Sequence, residues 1–289
     1  MTSVAQVLVS GLLIGGIYAL LALGITLVLG VMKIVNFAQG ELMMVGMYLT
    51  LVLNTAFGLH PYVALPIVAL GLFLLGVLIH AGLIRWVVDR GHTQQIVMTL
   101  GVGIILQSLA LMLFGGSFQT VPVPPFLGGT ISIGPIQVAT ARLAAFILAT
   151  IVTVVLLLLL NRTLVGRAVR ATAMDTDAAT LMGIPVRRVY LVTMGIGAAL
   201  AGIAGVMLTP LYPVYPTVGV NILMLGFVVV VLGGLGSITG AFVGGLIVGV
   251  VEALSGLWLG ASLSQIVVFA LFLLVLLVRP QGIFRGDVA

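Results

Sequence analysis

Apolar residues gather into long runs along the chain, and short polar or glycine-rich breaks separate these runs. Seven runs are continuous, and two more flank a glycine-rich interruption. They are Val4–Val31, Leu42–Phe57, Val63–Val88, Ile96–Phe114, Ala141–Leu160, Val189–Leu211, Asn221–Leu235, Ala241–Leu254 and Leu263–Val278. A membrane-spanning helix needs about 20 apolar residues, whereas a membrane barrel strand alternates over about ten. The pattern predicts an all-α, polytopic transmembrane helical bundle of about eight or nine membrane segments, with broken or re-entrant helices.

The composition narrows the class of protein. Hydrophobic residues make up 62% of the 289 residues and charged residues only 6%, where a soluble protein carries about 25% charged residues. So few charges cannot cover a soluble surface, which excludes a soluble enzyme or a nucleic-acid-binding protein and predicts the lipid bilayer as the surroundings. The chain has no cysteine, and His60, His80 and His92 lack metal-ligand spacing. We therefore predict neither a metal site nor a cofactor.

The basic residues predict the orientation, because cytoplasmic loops carry an excess of Lys and Arg. Ten of the eleven basic residues fall on one predicted side, and only Arg142 falls on the other. The ten are Lys33, Arg85, Arg90, Arg162, Arg167, Arg170, Arg187, Arg188, Arg279 and Arg285. We predict a cytoplasmic loop over about 161–188 and an external loop of short extended pieces over about 115–140. The N-terminus is external with nine segments, and cytoplasmic if Asn221–Leu235 is re-entrant.

The loop from Asn161 to Tyr190 is the longest on the predicted cytoplasmic side. Within it, the segment Ala168–Met182 contains neither Gly nor Pro and is predicted to be helical, with Asp175 or Thr176 available as an internal cap. Such a helix would expose Asp177-Ala178-Ala179 as a small-residue surface for a partner. The alternative is a solvated connector that only carries topology-determining arginines.

Two breaks within the apolar runs could carry chemistry. In the break from Lys33 to Glu41, Asn36 and Gln39 could line a polar path, while the two charges could instead mark the membrane edge. In the second break, three glycines could either line a pore or allow close helix packing. They are Gly233, Gly234 and Gly236.

Two further residues in apolar runs are ionisable. His80 is expected to be hydrogen-bonded between helices rather than to carry protons. Glu252 is the acid that a proton-coupled carrier would need in its core.

Four blocks of sequence resemble a known family. Residues 177–183 (DAATLMG) resemble the Glu-Ala-Ala…Gly signature of ABC importer permeases, with Asp in place of Glu. Three more blocks resemble the permease subunits of branched-chain amino acid ABC importers. They are residues 36–44 (NFAQGELMM), residues 231–237 (VLGGLGS) with Gly240, and residues 279–282 (RPQG). Gln39 stands where His is common in that family, so an imidazole role is not expected here.

The resemblance implies a single transmembrane permease domain over 1–289 that imports branched-chain or other small amino acids across the bacterial inner membrane. It implies a second, related permease subunit in a heterodimer, two cytoplasmic ATPase subunits and an external substrate-binding protein. Asp177, Ala178, Ala179 and Gly183 would couple the permease to the ATPases. The residues proposed for the translocation path are Asn36, Gln39, Glu41, Gly233, Gly234 and Gly236.

The sequence also bears on catalysis. It contains no G-x-x-x-x-G-K-[ST] phosphate loop, so the chain is not expected to be an enzyme, and any ATP hydrolysis would take place on another polypeptide. Three other interpretations stay open at this point: a proton-coupled secondary carrier, an ABC permease for urea or short amides, and a membrane-embedded structural or assembly subunit.

Overall fold

A computed structural model describes residues 2–88, 90–122, 127–133, 136–279 and 282–284 of the chain. These residues form eleven α-helices and one two-stranded antiparallel hairpin. In chain order they are α1 (Thr2–Met32), α2 (Gln39–Phe57), α3 (Pro61–Gly82), α4 (His92–Phe114), β1 (Thr130–Ile133), β2 (Ile136–Ala139), α5 (Thr140–Arg162), α6 (Leu164–Met174), α7 (Thr176–Leu181), α8 (Val186–Leu208), α9 (Val218–Gly233), α10 (Ile238–Leu259) and α11 (Ala261–Val278).

Each of the nine predicted apolar runs forms a helix, so the predicted transmembrane helical bundle is confirmed. Seven helices are long and apolar enough to cross a membrane, and two apolar helices, α9 and α11, are shorter. The third run was predicted too long, because α3 ends at Gly82 and a short 3-10 helix, Ile84–Trp86, follows it. The prediction of an all-α protein also misses the β1–β2 hairpin.

The core of the bundle consists of α1, α2, α8 and α9, and α10 packs closely against α1. A Cβ atom added at Gly11 would lie 2.6 Å from the carbonyl oxygen of Gly249, and one at Gly15 would lie 2.6 Å from that of Gly245. These pairs run in opposite directions along the two helices, so α1 and α10 are antiparallel. Small residues permit such close approach of membrane helices.

The outer helices present apolar side chains away from this core. On α3 and α4 many large side chains are more than half exposed, including Leu70, Leu78, Ile104 and Met112. Such surfaces suit lipid rather than water, because acyl chains are as apolar as leucine.

The two ends of the bundle are distinct. The β1–β2 hairpin precedes α5 and the α6–α7 segment follows it, so the 23 residues of α5 separate them by about 34 Å. The backbone N–H of Gln137 in β2 donates to the side-chain carbonyl of Gln6 at 2.8 Å, which places the start of α1 at the hairpin end. We call the other end, with α6 and α7, the connector end. Both the number of complete membrane crossings and the end that faces the cytoplasm stay predictions from the sequence.

The segment before α5 was expected to form short extended pieces. Thr130–Ile133 and Ile136–Ala139 pair as antiparallel strands, and Gln119 forms an isolated bridge with Val214. Pro124, Pro125 and Pro135, on which this expectation partly rests, lie outside the described residues. The same is true of Pro280, Gln281 and Arg285.

Candidate functional site

The first break in the helices lies between α1 and α2, over residues 33–38. Lys33 is exposed and adopts a positive φ of 55°, which reverses the chain after α1. The chain then returns into the bundle, where Asn36 and Gln39 are 1% and 0% exposed. The break predicted from the sequence is therefore present, and Lys33 alone marks its outer edge.

The two amide side chains of this break are hydrogen-bonded to each other and to α8. Asn36 donates from Nδ2 to Oε1 of Gln39 at 3.1 Å, and its Oδ1 accepts from the backbone N–H of Ala38 at 3.1 Å. Gln39 donates from Nε2 to the carbonyl oxygen of Gly197, near the middle of α8, at 2.7 Å. An added Cβ at Gly24 would lie 2.3 Å from that Nε2 atom, so a glycine in α1 is needed to admit the amide. Asn36 and Gln39 thus fasten the break to α1 and α8.

Glu41 lies in the interior and not at the membrane edge, which corrects one of the two interpretations of this charge. It is 4% exposed, and its Oε2 atom has no hydrogen-bond partner among the described residues. Its Cγ lies 3.5 Å from the position of an added Cβ at Gly103 of α4, and its Oε2 lies 2.8 Å from one at Gly219 of α9. Gly103 is eleven residues into α4, about 16 Å along that helix. The carboxyl group therefore lies at mid-depth between α2, α4 and α9.

The second break lies between α9 and α10. Gly234 and Gly236 have φ values of 105° and 86°, a region that residues with a Cβ rarely occupy. An added Cβ at Gly233 would lie 2.3 Å from the carbonyl oxygen of Gly240, while Ser237 caps α10 by accepting from the N–H of Gly240 at 3.0 Å. Backbone geometry and close packing account for these glycines, which supports the packing alternative over pore lining.

The tail of the chain covers this second break. The N–H of Ile283 donates to the carbonyl oxygen of Leu232 at 2.9 Å, and that of Phe284 donates to Gly233 at 3.2 Å. An added Cβ at Gly282 would lie 2.4 Å from Cα of Gly234. Two of the blocks that carry the family resemblance, around residues 231–240 and 279–282, therefore meet in space.

The connector consists of two helices instead of the single helix predicted over Ala168–Met182. Asp175 interrupts it, because its Oδ1 accepts from the N–H groups of Asp177 and Ala178 at 2.9 and 3.0 Å and so caps α7. This confirms the predicted capping residue. The extra boundary arises because the N-cap itself has extended backbone angles.

The signature-like residues of α7 do not share one surface. Asp177 and Ala178 are exposed, but Ala179 is 4% exposed, so its predicted place on the partner-facing surface is wrong. Gly183 ends the helix with a φ of 81°, and the N–H of Ile184 donates to the carbonyl oxygen of Ala179 at 3.0 Å, as in a Schellman motif.

Two apolar residues at the end of α7, Leu181 and Met182, belong to its exposed surface but were not predicted from the sequence. Leu181 and Met182 are 88% and 82% exposed. The available signal was their position directly before Gly183, where the helix ends.

Glu252 belongs to a small polar cluster nearer the hairpin end. It is hydrogen-bonded to Tyr18 of α1, and Tyr18 in turn interacts with Tyr212 in the segment between α8 and α9. Burial raises the pKa of the Tyr212 hydroxyl above its usual value, so this group stays a neutral hydrogen-bonding partner. The cluster is separate from Glu41, since the two acids lie on different helices with no shared neighbour among these contacts.

The chain matches the model of one protein family and is similar to several curated permeases. The family described as branched-chain amino acid transport system / permease component matches residues 7–276. The chain is 34% identical to the high-affinity branched-chain amino acid transport system permease protein LivH of Salmonella typhimurium, over 96% of this chain and 94% of that protein. It is 33% identical to the permease protein BraD of the corresponding system of Pseudomonas aeruginosa, over 96% and 94%. It is also 28% identical to the permease protein LivM of Escherichia coli, over 92% of this chain and 67% of LivM.

Proposed function

The chain belongs to the family of branched-chain amino acid transport system permease components, and on that premise we propose how it works as the permease subunit of an ABC importer. Its substrates are branched-chain or other small amino acids, which it carries across the bacterial inner membrane. The chain contributes one half of the pathway and a docking surface, while ATP is hydrolysed on separate cytoplasmic subunits.

One observation carries the proposed pathway: the carboxyl group of Glu41 is 4% exposed at mid-depth and has an oxygen that no described residue satisfies. Glu252 also has an oxygen without a partner among the described residues, but it is less buried and is hydrogen-bonded to Tyr18. Burying an unpaired carboxylate is costly, and an ionisable group inside a membrane bundle marks a path by default. The ammonium group of an amino acid is a suitable transient partner for Glu41, because charge-assisted hydrogen bonds are the strongest available. Asn36 and Gln39 hold the break that brings Glu41 to this depth. Gly233, Gly234 and Gly236 contribute by allowing α9, α10 and the tail to pack.

The surface around α7 supports docking of the two ATPase subunits. Asp177, Ala178 and Gly183 are exposed beside the apolar side chains of Leu181 and Met182. A short helix with small residues and a protruding apolar pair fits a groove on a partner. Ala179 acts indirectly, since its buried side chain anchors α7 on the rest of the connector.

A second, related permease subunit is proposed to complete the pathway as a heterodimer. The 28% identity with LivM shows that permeases of this family occur in more than one related form. In addition, α9 exposes Asn221 next to Val220 and Met224. A polar side chain at membrane depth normally faces protein or water rather than lipid, so this face suits the partner permease or the water-filled path.

The hairpin end is proposed to receive an external substrate-binding protein. By the positive-inside rule the basic residues favour a cytoplasmic connector end, and we propose on that basis that the N-terminus lies outside. The hairpin and the Gln119–Val214 bridge would form the outer surface.

The experiment that tests this function is uptake of labelled leucine by liposomes that contain the full chain, its partner permease and the ATPases, with the binding protein supplied outside. We expect Glu41→Gln to reduce ATP-dependent uptake at least tenfold, about 1.4 kcal/mol in the barrier, with ATPase docking unchanged. Glu252→Gln is the matched control, because it removes a second membrane acid that lies in a different cluster.

Three outcomes would contradict the proposal. Uptake without ATP would indicate a proton-coupled carrier, and transport of urea or short amides in preference to leucine would change the substrate. Wild-type uptake by Glu41→Gln would show that the path runs elsewhere.

A further inference from the structure

A cavity of about 410 Å³ lies at the connector end of the bundle, between the end of α3 and the start of α8. Its lining contains five side chains that can donate hydrogen bonds. They are His80, Arg85, Thr176, Arg187 and Tyr190. Two other cavities, of about 520 and 270 Å³, are lined mostly by apolar side chains, so polarity distinguishes this one from them.

His80 is buried at this cavity without a polar partner. It is 4% exposed, and neither ring nitrogen has a hydrogen-bond partner among the described residues. The expected hydrogen bond to a neighbouring helix is therefore absent from the described part of the chain. Its contact with Tyr190 of α8 is aromatic, with ring centroids 6.3 Å apart. A buried imidazole is costly when its nitrogens are unpaired, which suggests that a ligand completes this site.

The charge around the cavity is positive. Arg85 and Arg187 both line it, and none of the described lining residues is acidic. Arg85 is held over the ring of Trp86, with its guanidinium carbon 4.7 Å from the ring centroid. Guanidinium groups recognise phosphate through paired hydrogen bonds, so the cavity is suited to a phosphate-bearing anion.

The position of the cavity indicates where that anion comes from. Leu70, Leu74 and Leu78 of α3 are 61%, 52% and 67% exposed, and their four-residue spacing makes one outward-facing apolar stripe. The stripe ends at Arg85 and at Trp86, which is 65% exposed. Arginine and tryptophan at the end of a lipid-facing stripe mark the level of the headgroups.

We propose that this cavity binds the headgroup phosphate of an anionic phospholipid from the leaflet at the connector end. Basic pockets between membrane helices suit such headgroups. Arg85 and Arg187 would hold the phosphate, and His80 and Tyr190 would bind its oxygens or the attached glycerol. Because Thr176 begins α7, a bound lipid would tie the end of α3 to the segment proposed to dock the ATPases. This inference goes beyond the proposed transport function and does not depend on the substrate.

The test uses the fluorescence of Trp86, which lies beside the cavity. The chain has two tryptophans, so Trp258→Phe leaves Trp86 as the only one in the otherwise full-length protein. This protein is reconstituted in phosphatidylcholine nanodiscs with increasing amounts of brominated phosphatidylglycerol or brominated phosphatidylcholine. We expect half-maximal quenching at a mole fraction of phosphatidylglycerol at least about fivefold lower than that of phosphatidylcholine, since each arginine near the surface contributes about this factor.

A matched pair of variants locates the binding. Arg187→Gln should move the phosphatidylglycerol midpoint about fivefold upward, whereas Arg162→Gln should leave it unchanged, because Arg162 lies at the same end but does not line the cavity. Inorganic phosphate at millimolar concentration should not reverse the quenching.

Several results would overturn the proposal. Equal quenching by the two lipids would mean ordinary contact with bulk lipid, and this comparison needs no arginine variant. Equal shifts in both arginine variants would indicate a general surface charge effect. Reversal by inorganic phosphate would assign the cavity to a free anion, and protection of Trp86 only by added ATPase subunits would assign it to a protein contact.

Discussion

The helices of this permease are interrupted twice inside the bundle, and the two breaks are stabilised by different means. The break between α1 and α2 is stabilised by side chains: Asn36 donates to Gln39, and Gln39 donates to the carbonyl oxygen of Gly197 in α8. The break between α9 and α10 is stabilised by the backbone, through glycines with positive φ and hydrogen bonds from the C-terminal tail. Among the described residues, only the first break brings an unsatisfied polar group, Glu41, to mid-depth. The two breaks therefore differ in the polar group that they position, and on this difference we base the proposal that the path runs past the first break.

The largest effect is expected where backbone packing is tightest. In Gly240→Ala the new Cβ would lie 2.1 Å from the carbonyl oxygen of Gly233, and overpacking typically costs about 1–3 kcal/mol or more. We expect a severe loss of folded, monodisperse protein in detergent and a lower Tm. In Gly101→Ala the added Cβ meets nothing within 4 Å, so this control should fold normally. Equal behaviour of the two variants would mean that the second break is not held by packing.

Substitution of Gly183, which ends α7 in open space, should affect ATPase docking rather than folding. Gly183 has a φ of 81°, but no atom lies within 4 Å of an added Cβ. We expect Gly183→Trp to abolish uptake and ATPase co-purification while membrane insertion stays intact, because the indole would separate α7 from the ATPase groove. Gly183→Asn is the control, since Asn tolerates the left-handed region. If Asn is as damaging as Trp, the backbone and not docking explains the loss.

The side-chain break should respond to loss of its hydrogen bonds. Gln39→Leu removes two hydrogen bonds, the one to the Gly197 carbonyl and the one from the Asn36 amide, and leaves that amide only the sulfur of Met194 at 3.8 Å. Each lost bond costs about 1 kcal/mol. We expect uptake to fall at least tenfold, about 1.4 kcal/mol, while expression stays near normal. Gln39→His can still donate to Gly197 and should retain more uptake than Gln39→Leu. Wild-type rates in Gln39→Leu would remove the first break from the pathway.

The smallest effect on transport is expected from single cysteines that report on which side of the membrane each break is exposed. Lys33 and Leu235 are exposed at the two breaks, and Thr130 is exposed on the hairpin. In intact cells an impermeant thiol reagent should label Thr130→Cys but neither Lys33→Cys nor Leu235→Cys, and permeabilisation should expose both. Thr172 is unsuitable as an internal site because it is 0% exposed. The reverse pattern would invert the predicted orientation.

The sequence was a reliable guide wherever one local rule decides the outcome. Long apolar runs can only satisfy their backbone as helices in a membrane, so every run became a helix. Asp175 could be identified as a cap because capping depends on neighbouring N–H groups. The polar break after α1 and the glycine-rich break after α9 could also be predicted, because both interrupt apolar runs.

Tertiary structure alone decided the matters that depend on distant residues. Whether Glu41 marks the membrane edge or lies inside depends on Gly103 and Gly219, which leave room for its side chain. The burial of Ala179 and the meeting of His80, Arg85 and Arg187 around one cavity likewise depend on helices far apart in the chain. A sequence specifies hydrophobicity and turn chemistry residue by residue. Burial and hydrogen-bond satisfaction are properties of neighbours in space, and these neighbours exist only once the helices have packed.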